Sequence, residues 1–255
     1  TYLFPKALYA GFVQYAQITN EVKKMASNRK NIDIDLSINN DLKGTHILVI
    51  GESANRDHMG SYGYFRKTSP WLSEIIKNDN TILFENSYSP FSHTTPSLMQ
   101  SLTEANQYNR KKTSQAMSLI EILNKADFDT YWINEQSQGL LDTPLSVIRN
   151  QAKQYKFVSE GGHVIEALKS IMQEIDKSKN NLIVIHLMGS HWKYQDRYPK
   201  EYQDHFTNIK FKEIGSFSKE EKFIKNELNK YDISIKYTDK ILKDIFNMTA
   251  LDNNF

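Results

Sequence analysis

The stretch His46-Ile47-Leu48-Val49-Ile50-Gly51-Glu52-Ser53 decides the fold class. Its apolar, β-branched run leaves no polar face for solvent. It therefore reads as a strand buried on both sides, ended by Gly51 and followed at once by a carboxylate. Similar wording recurs downstream. Leu182-Ile183-Val184-Ile185 is the clearest such run and ends at His186, while Thr130-Tyr131-Trp132-Ile133 ends at Asn134-Glu135-Gln136. Thr81-Ile82-Leu83-Phe84 is a further candidate strand. Helical spacing separates these runs at residues 116–124 and again at 162–177, where Val164, Leu168, Ile171, Met172 and Ile175 share a face. A last helix spans 218–247, with Ser218 and Glu221 at capping-box spacing and Ile224, Leu228, Tyr231, Ile235, Leu242 and Ile245 along it. Strands alternating with helices of these lengths predict an α/β domain, a mostly parallel sheet flanked by helices on both faces.

Composition around this alternation is that of an ordinary globular protein: 255 residues, 39% hydrophobic and 24% charged. Such proportions exclude a disordered tail, a collagen or a coiled coil. At roughly 100–200 residues per domain, one large domain is expected. With 32 Lys and Arg against 30 Asp and Glu, the net charge of +2 gives no electrostatic case for a nucleic-acid partner. The lack of cysteine excludes thiol catalysis, cysteine-based zinc sites and disulfides. No apolar run reaches the ~18 residues of a membrane span. The chain begins with Thr1 rather than Met and stops abruptly at Phe255, so it reads as a piece of a longer polypeptide. Residues 1–44 form their own region. Leu3, Phe4, Leu8, Phe12, Tyr15 and Ile18 have helical spacing ahead of Glu21-Val22-Lys23-Lys24, and the polar residues 29–44 read as a linker into the main domain, 45–255. A helix packed on the domain surface and an amphipathic segment lying on a bilayer both fit the first part.

Ligands of open α/β sheets bind beyond the carboxyl ends of the strands. Three runs here finish in polar groups at that rim: Gly51-Glu52-Ser53, Asn134-Glu135-Gln136, and His186 followed by Gly189-Ser190-His191. A carboxylate and two imidazoles projected from neighbouring strand ends suit a metal such as zinc. The plainer reading is that strands end in polar residues because loops meet water there. His46, His58, His163 and His205 read as structural or solvated. A second rich segment is Ser89-Pro90-Phe91-Ser92-His93-Thr94-Thr95-Pro96-Ser97-Leu98-Met99, placed just before a helix-like stretch. Hydroxyl residues at a helix start are normally caps. A helix N-terminus also stabilises anions, and a hydroxyl held there beside a metal loses its proton more readily and attacks phosphorus. The serine-hydrolase elbow and the Walker loop are both absent.

Together these segments resemble the phosphoethanolamine transferases of Gram-negative envelopes, within the alkaline phosphatase/sulfatase superfamily. The resemblance begins at Val49-Ile50-Gly51-Glu52-Ser53-Ala54-Asn55-Arg56 and runs through Tyr62-Gly63-Tyr64, Arg66, Thr68 and Pro70. It continues at Phe84-Glu85-Asn86, His93-Thr94-Thr95-Pro96-Ser97-Leu98, Tyr131 to Gln136 and Asp142-Thr143-Pro144. It closes with His186-Leu187-Met188-Gly189-Ser190-His191, Tyr231-Asp232 and Tyr237-Thr238-Asp239, in family order. The wording is nearer the branch that modifies core sugars or other envelope targets than the cysteine-rich branch of mobile colistin-resistance enzymes. The resemblance implies that Glu52 and Thr94 ligate zinc and that Thr94 is the nucleophile, with Thr95 the alternative. It implies that His191 lines the site and binds the phosphoryl group or a second metal, with His186 as its companion. The implied reaction moves phosphoethanolamine from phosphatidylethanolamine to a lipid A, core oligosaccharide or other envelope acceptor through a covalent phospho-Thr94. The implied location is the periplasmic face of the inner membrane, with a membrane anchor outside the sequence given.

The departures shape the expectation as much as the match. The family completes its zinc site with a Ser-Asp-His-Gly-Glu-type strand end and a later histidine. No such segment follows Tyr237-Thr238-Asp239, and after His191 the only histidine is His205. The sheet is therefore expected to be incomplete towards the C-terminus and the zinc site to hold two ligands of an expected four. The chain is expected to be a fragment or truncated frame with little or no turnover. A sulfatase-like phosphodiesterase, a glycerophosphotransferase and a non-catalytic remnant fit the same scaffold.

Overall fold

In a computed structural model of the chain, the described residues are 44–136, 143–159, 163–203, 205–206 and 219–250, with isolated positions between 16 and 36. The central layer is a four-stranded sheet of β1 (Thr45–Ile50), β2 (Asp129–Asn134), β3 (Gln154–Phe157) and β4 (Asn181–His186). The strand order is β1-β4-β2-β3, and every pairing is parallel. All six residues of β4 are buried, which explains its unbroken apolar sequence: both of its faces and both of its edges are covered.

Alternation along the strands divides the core in two. Ile47, Val49, Tyr131, Ile133, Ile183 and Ile185 pack on one face against α5 (Val164–Glu174) and α6 (Lys219–Ala250). Leu48, Ile50, Trp132, Leu182 and Val184 pack on the other face against α2 (Thr94–Ser101), α3 (Leu119–Lys125) and α4 (Pro144–Arg149). Helices thus cover both faces, as the sequence predicts. A short helix, α1 (Pro70–Ile75), lies against α6 and takes its cap from it. The Asp239 carboxylate accepts from the backbone N–H of Trp71 at 2.8 Å and of Leu72 at 3.0 Å, satisfying donors that a helix start otherwise leaves open.

The same α6 carries a buried charge that organises residues 56–69. Asp232 is fully buried and accepts from Arg66 Nη1 at 2.6 Å and from the Tyr64 hydroxyl at 2.9 Å, while His58 Nδ1 lies 2.8 Å away. Burial, and then the Asp232 charge, push the Tyr64 hydroxyl well above its ordinary pKa, so it remains a donor.

Three features depart from the sequence reading. β1, read as a strand buried on both sides, lies at an edge of the sheet, where its apolar residues are only half-buried and His46 is exposed. Thr81–Phe84 is not a strand: it has no ladder partner among the described residues, and Ile82 (79%) and Phe84 (71%) are exposed. Apolar content without a neighbouring strand does not make a ladder. Conversely, β3 at the sheet edge and the six-residue helices α1 and α4 were not anticipated. Most of the expected N-terminal helix and of the linker at 29–44, together with Asp142, the capping Ser218 and residues 251–255, lie outside the described residues. No helix among the described residues is long and apolar enough to cross a membrane.

Replacing Arg66 with Leu leaves Asp232 buried without its closest cationic partner. The expected outcome is a loss of about 3–5 kcal/mol in unfolding free energy, read as a lower midpoint in urea denaturation.

Candidate functional site

Because all strands run parallel, their carboxyl ends emerge along one edge, and register sets Ile50, His186 and Asn134 in a single row. Glu52 follows β1 by two residues. Thr94 opens α2, with His93 at the N-cap. The two meet at the sheet edge: Thr94 Oγ1 donates to Glu52 Oε2 at 2.8 Å. The other carboxylate oxygen, Oε1, accepts from the Ser53 hydroxyl at 2.8 Å. Both oxygens are thus oriented, one by the residue next in sequence and one by Thr94. The sequence left Thr95 open beside Thr94, and it is the Thr94 hydroxyl that reaches Glu52.

Thr94 borders two clefts. One, of about 520 Å³, is walled by Glu52, Ser53, Ser87, Ser89, Ser92 and Ser97 among others. The other, of about 770 Å³, includes Thr95, Gln100, Thr113 and Thr143. The turn before α2 is braced internally: the Ser89 and Ser97 hydroxyls both donate to the Phe91 carbonyl, at 2.7 and 2.9 Å.

The loop leaving β4 supports Glu52 from behind. Leu187 N–H donates to the Ile50 carbonyl and Ser190 N–H to the Glu52 carbonyl, each at 2.9 Å. Gly189 lies against Glu52 so closely that an added Cβ would sit 2.9 Å from its backbone nitrogen, and its φ of +51° is in the left-handed region. The polar end of β2 braces this loop: Glu135 Oε2 accepts from Met188 N–H at 2.9 Å, and Gln136 Nε2 donates to the Leu187 carbonyl at 2.6 Å. Asn134-Glu135-Gln136 therefore holds the rim together. Tyr231 of α6 grips the front of the turn, its hydroxyl donating to the Ser53 carbonyl at 2.7 Å and accepting from Asn55 N–H at 2.8 Å. Burial raises the pKa of this phenol to about 12, so its proton stays in place.

The histidines part company. His186 is buried on the α2 side of the sheet beside Trp132, and its Nε2 has no hydrogen-bond partner among the described residues. Burial lowers its pKa to about 4, the nearby Glu52 charge opposing the shift. His191 is exposed on the turn beyond Gly189 and lines neither cleft. The sequence does contain the dipeptides Asp57-His58 and Asp204-His205, but His58 is committed to Asp232 and Asp204 lies outside the described residues. For zinc, Glu52 and Thr94 present two oxygens of the right chemistry, close enough to share an ion. Among the described residues no group of three or more His, Asp or Glu side chains completes a metal site.

The sulfatase family profile matches residues 45–254, and the chain belongs to that family. Within it, the chain is similar to phosphoethanolamine transferase EptC of Escherichia coli (strain K12), at 34% identity over 209 residues, covering 77% of this chain and 36% of that protein. The crystal structure of the C-terminal periplasmic domain of EptC from Escherichia coli superposes with a TM-score of 0.70 at 30% identity, covering 82% of this chain and 60% of that one. The same domain in complex with zinc gives 0.69 at 28% identity, covering 80% and 59%. The chain spans less than half the length of the curated relatives it matches.

Two outcomes test this geometry. Gly189→Ala introduces both a strained φ and a clash with the Glu52 backbone, so thermal denaturation is expected to show a loss of at least ~1 kcal/mol. His186 is neutral when folded down to about pH 4, whereas the unfolded chain protonates it near 6.5. The unfolded state therefore binds the extra proton between those values. Stability is expected to fall as pH drops from 6.5 towards 4, by on the order of 3 kcal/mol. His186→Gln removes that part of the slope in urea titrations run across this pH range.

Proposed function

We propose that the chain is the Thr94-bearing part of a phosphoethanolamine transferase catalytic domain, residues 45–255, that works on the periplasmic face of the inner membrane. Residues 1–44 are read as a juxtamembrane helix and linker. The observation that carries this reading is the 2.8 Å hydrogen bond from Thr94 Oγ1 to Glu52 Oε2 where two clefts meet, in a chain whose relatives bear that activity in their names.

In the first step, Thr94 Oγ1 attacks the phosphorus of phosphatidylethanolamine. The Oγ1–P bond forms, the bond from phosphorus to the glycerol oxygen breaks, and diacylglycerol leaves with a proton equivalent to the one Thr94 gives up. Since the Thr94 proton lies along the bond to Glu52, the lone pairs of Oγ1 are left to face the clefts. In the second step, an oxygen of a lipid A, core oligosaccharide or other envelope acceptor attacks the same phosphorus, and the Thr94 hydroxyl is restored. Zinc held by Glu52 and Thr94 would supply a lower hydroxyl pKa and offset phosphoryl charge. His186, neutral and buried beneath the rim, supports the site without adding charge. His191, exposed on the turn beyond Gly189, lines neither cleft that Thr94 borders, and its assignment to the incoming phosphoryl group rests on the resemblance alone.

The test is to incubate the chain with phosphatidylethanolamine labelled in the ethanolamine, quench in acid and map the peptides. A small fraction of the chain is expected to carry label on the peptide holding Thr94 and to pass it to added lipid A, since a single adduct requires no sustained turnover and two zinc ligands of an expected four keep turnover slow. Thr94→Ala is expected to lower labelling by about a thousandfold or more. Label on another residue, or its retention in Thr94→Ala, overturns the assignment, and label released only to water favours a hydrolase.

A further inference from the structure

Ser53 carries an unusual burden for its position. It adopts a φ of +53°, a left-handed conformation that is strained for a non-glycine residue. That conformation accompanies the hydrogen bond from the Ser53 hydroxyl to Glu52 Oε1. The turn from 53 to 55 has no regular ladder to hold it, and its carbonyl at 53 and N–H at 55 both end on one atom, the hydroxyl of Tyr231.

We propose that Tyr231 is a positioning residue for the Glu52–Thr94 pair, acting through Ser53. This rests on the reading of Thr94 as the nucleophile. The Tyr231 hydroxyl holds Ser53 in its left-handed conformation. Ser53 then fixes Oε1 of Glu52, and the second oxygen, Oε2, is left aligned with Thr94. The clamp is rigid because Tyr231 is itself held. Its ring meets His58 and Tyr194 edge-on, at 5.2 and 5.0 Å between centroids, and the next residue along α6 is Asp232, anchored by Arg66 and Tyr64. A bulky aromatic at that place fills space, whereas two short bonds from one hydroxyl to the main chain of a strained turn do something packing does not: they set a backbone angle next to the reacting pair.

The substitution Tyr231→Phe keeps the ring and removes only the oxygen. In the full chain, amide hydrogen exchange followed by NMR is expected to show at least a tenfold faster exchange at Asn55, with the amides of β4 unchanged. Unchanged protection at Asn55 overturns the proposal whether or not the chain turns over. The second arm measures Thr94 labelling from a soluble donor, p-nitrophenyl phosphoethanolamine. Tyr231→Phe is expected to lower the maximal rate about tenfold with little change in the donor KM, since the pair is misaligned while the clefts are kept. Glycine reaches the left-handed region without strain, so in a Ser53→Gly background the same loss is expected to shrink to about twofold. An equal loss in both backgrounds, or a fall in melting temperature with no change in rate, overturns the positioning role. If the wild-type chain forms no adduct with this donor or with phosphatidylethanolamine, the transferase reading fails, and the exchange arm still decides whether Tyr231 holds the turn.

Discussion

The site hangs from the ladder that pairs β1 with β4. Six residues of each strand run side by side in parallel, Thr45 with Asn181 through Ile50 with His186. That register brings the two strand exits out level, and the bonding continues past the strands, from Leu187 to Ile50 and from Ser190 to Glu52. Glu52 is thereby placed by main-chain contacts that hardly depend on its own side chain. A slip of one residue in this pairing would turn every apolar side chain of β1 to the wrong face, and the two-sided core makes such a slip costly. The carboxylate inherits the precision of the core without being part of it.

A second constraint comes from α6, which packs on the sheet with Ile241 and Ile245 and sends three polar groups to the rim. Tyr231 reaches the Ser53–Asn55 turn, Asp232 binds Arg66, Tyr64 and His58, and Asp239 caps α1. Polar groups buried this deeply are tolerated because each is matched by donors of defined geometry. The irregular stretch from 53 to 75 owes its shape to these matches, since it contributes little to either core cluster.

The sequence was most legible where burial was two-sided. β4 is a continuous apolar run buried throughout, β2 is buried along Thr130–Asn134 around Tyr131-Trp132-Ile133, β1 shows its apolar Ile47–Ile50 although it is half-buried at an edge, and α5 and α6 have clear helical stripes. β3 was hidden because Gln154-Tyr155-Lys156-Phe157 is short and half polar, as an edge strand can be. Helices α1 and α4 are six residues each and announce themselves only by Ser69-Pro70 and Thr143-Pro144, a polar residue ahead of proline. Thr81–Phe84 is apolar in sequence yet unpaired among the described residues, because apolar content alone does not supply a neighbouring strand. At the site, Glu52 and Thr94 are 42 positions apart, and no periodicity links them; only the resemblance joined them beforehand. Tyr231 reads as a position on a helical stripe and as part of the Tyr231-Asp232 pair of the resemblance, but neither reading says where its hydroxyl goes, which acquires meaning only once the chain has brought it to Ser53. The bracing work of Glu135 and Gln136 was equally invisible, since a polar strand end reads the same whether it binds a ligand or a loop.

The long span of the contacts made by α6 also bears on synthesis. Arg66 and Asp232 are separated by 166 residues, and Trp71 and Asp239 by 168. At about 5–20 residues per second, the ribosome delivers the later partners some ten to thirty seconds after the earlier ones. During that interval, residues 56–75 emerge as a polar, half-formed loop with an uncapped helix. The Glu52 turn cannot be fixed until α6 arrives, so the reactive corner of the molecule is assembled only after β1 and β4 are available to pair.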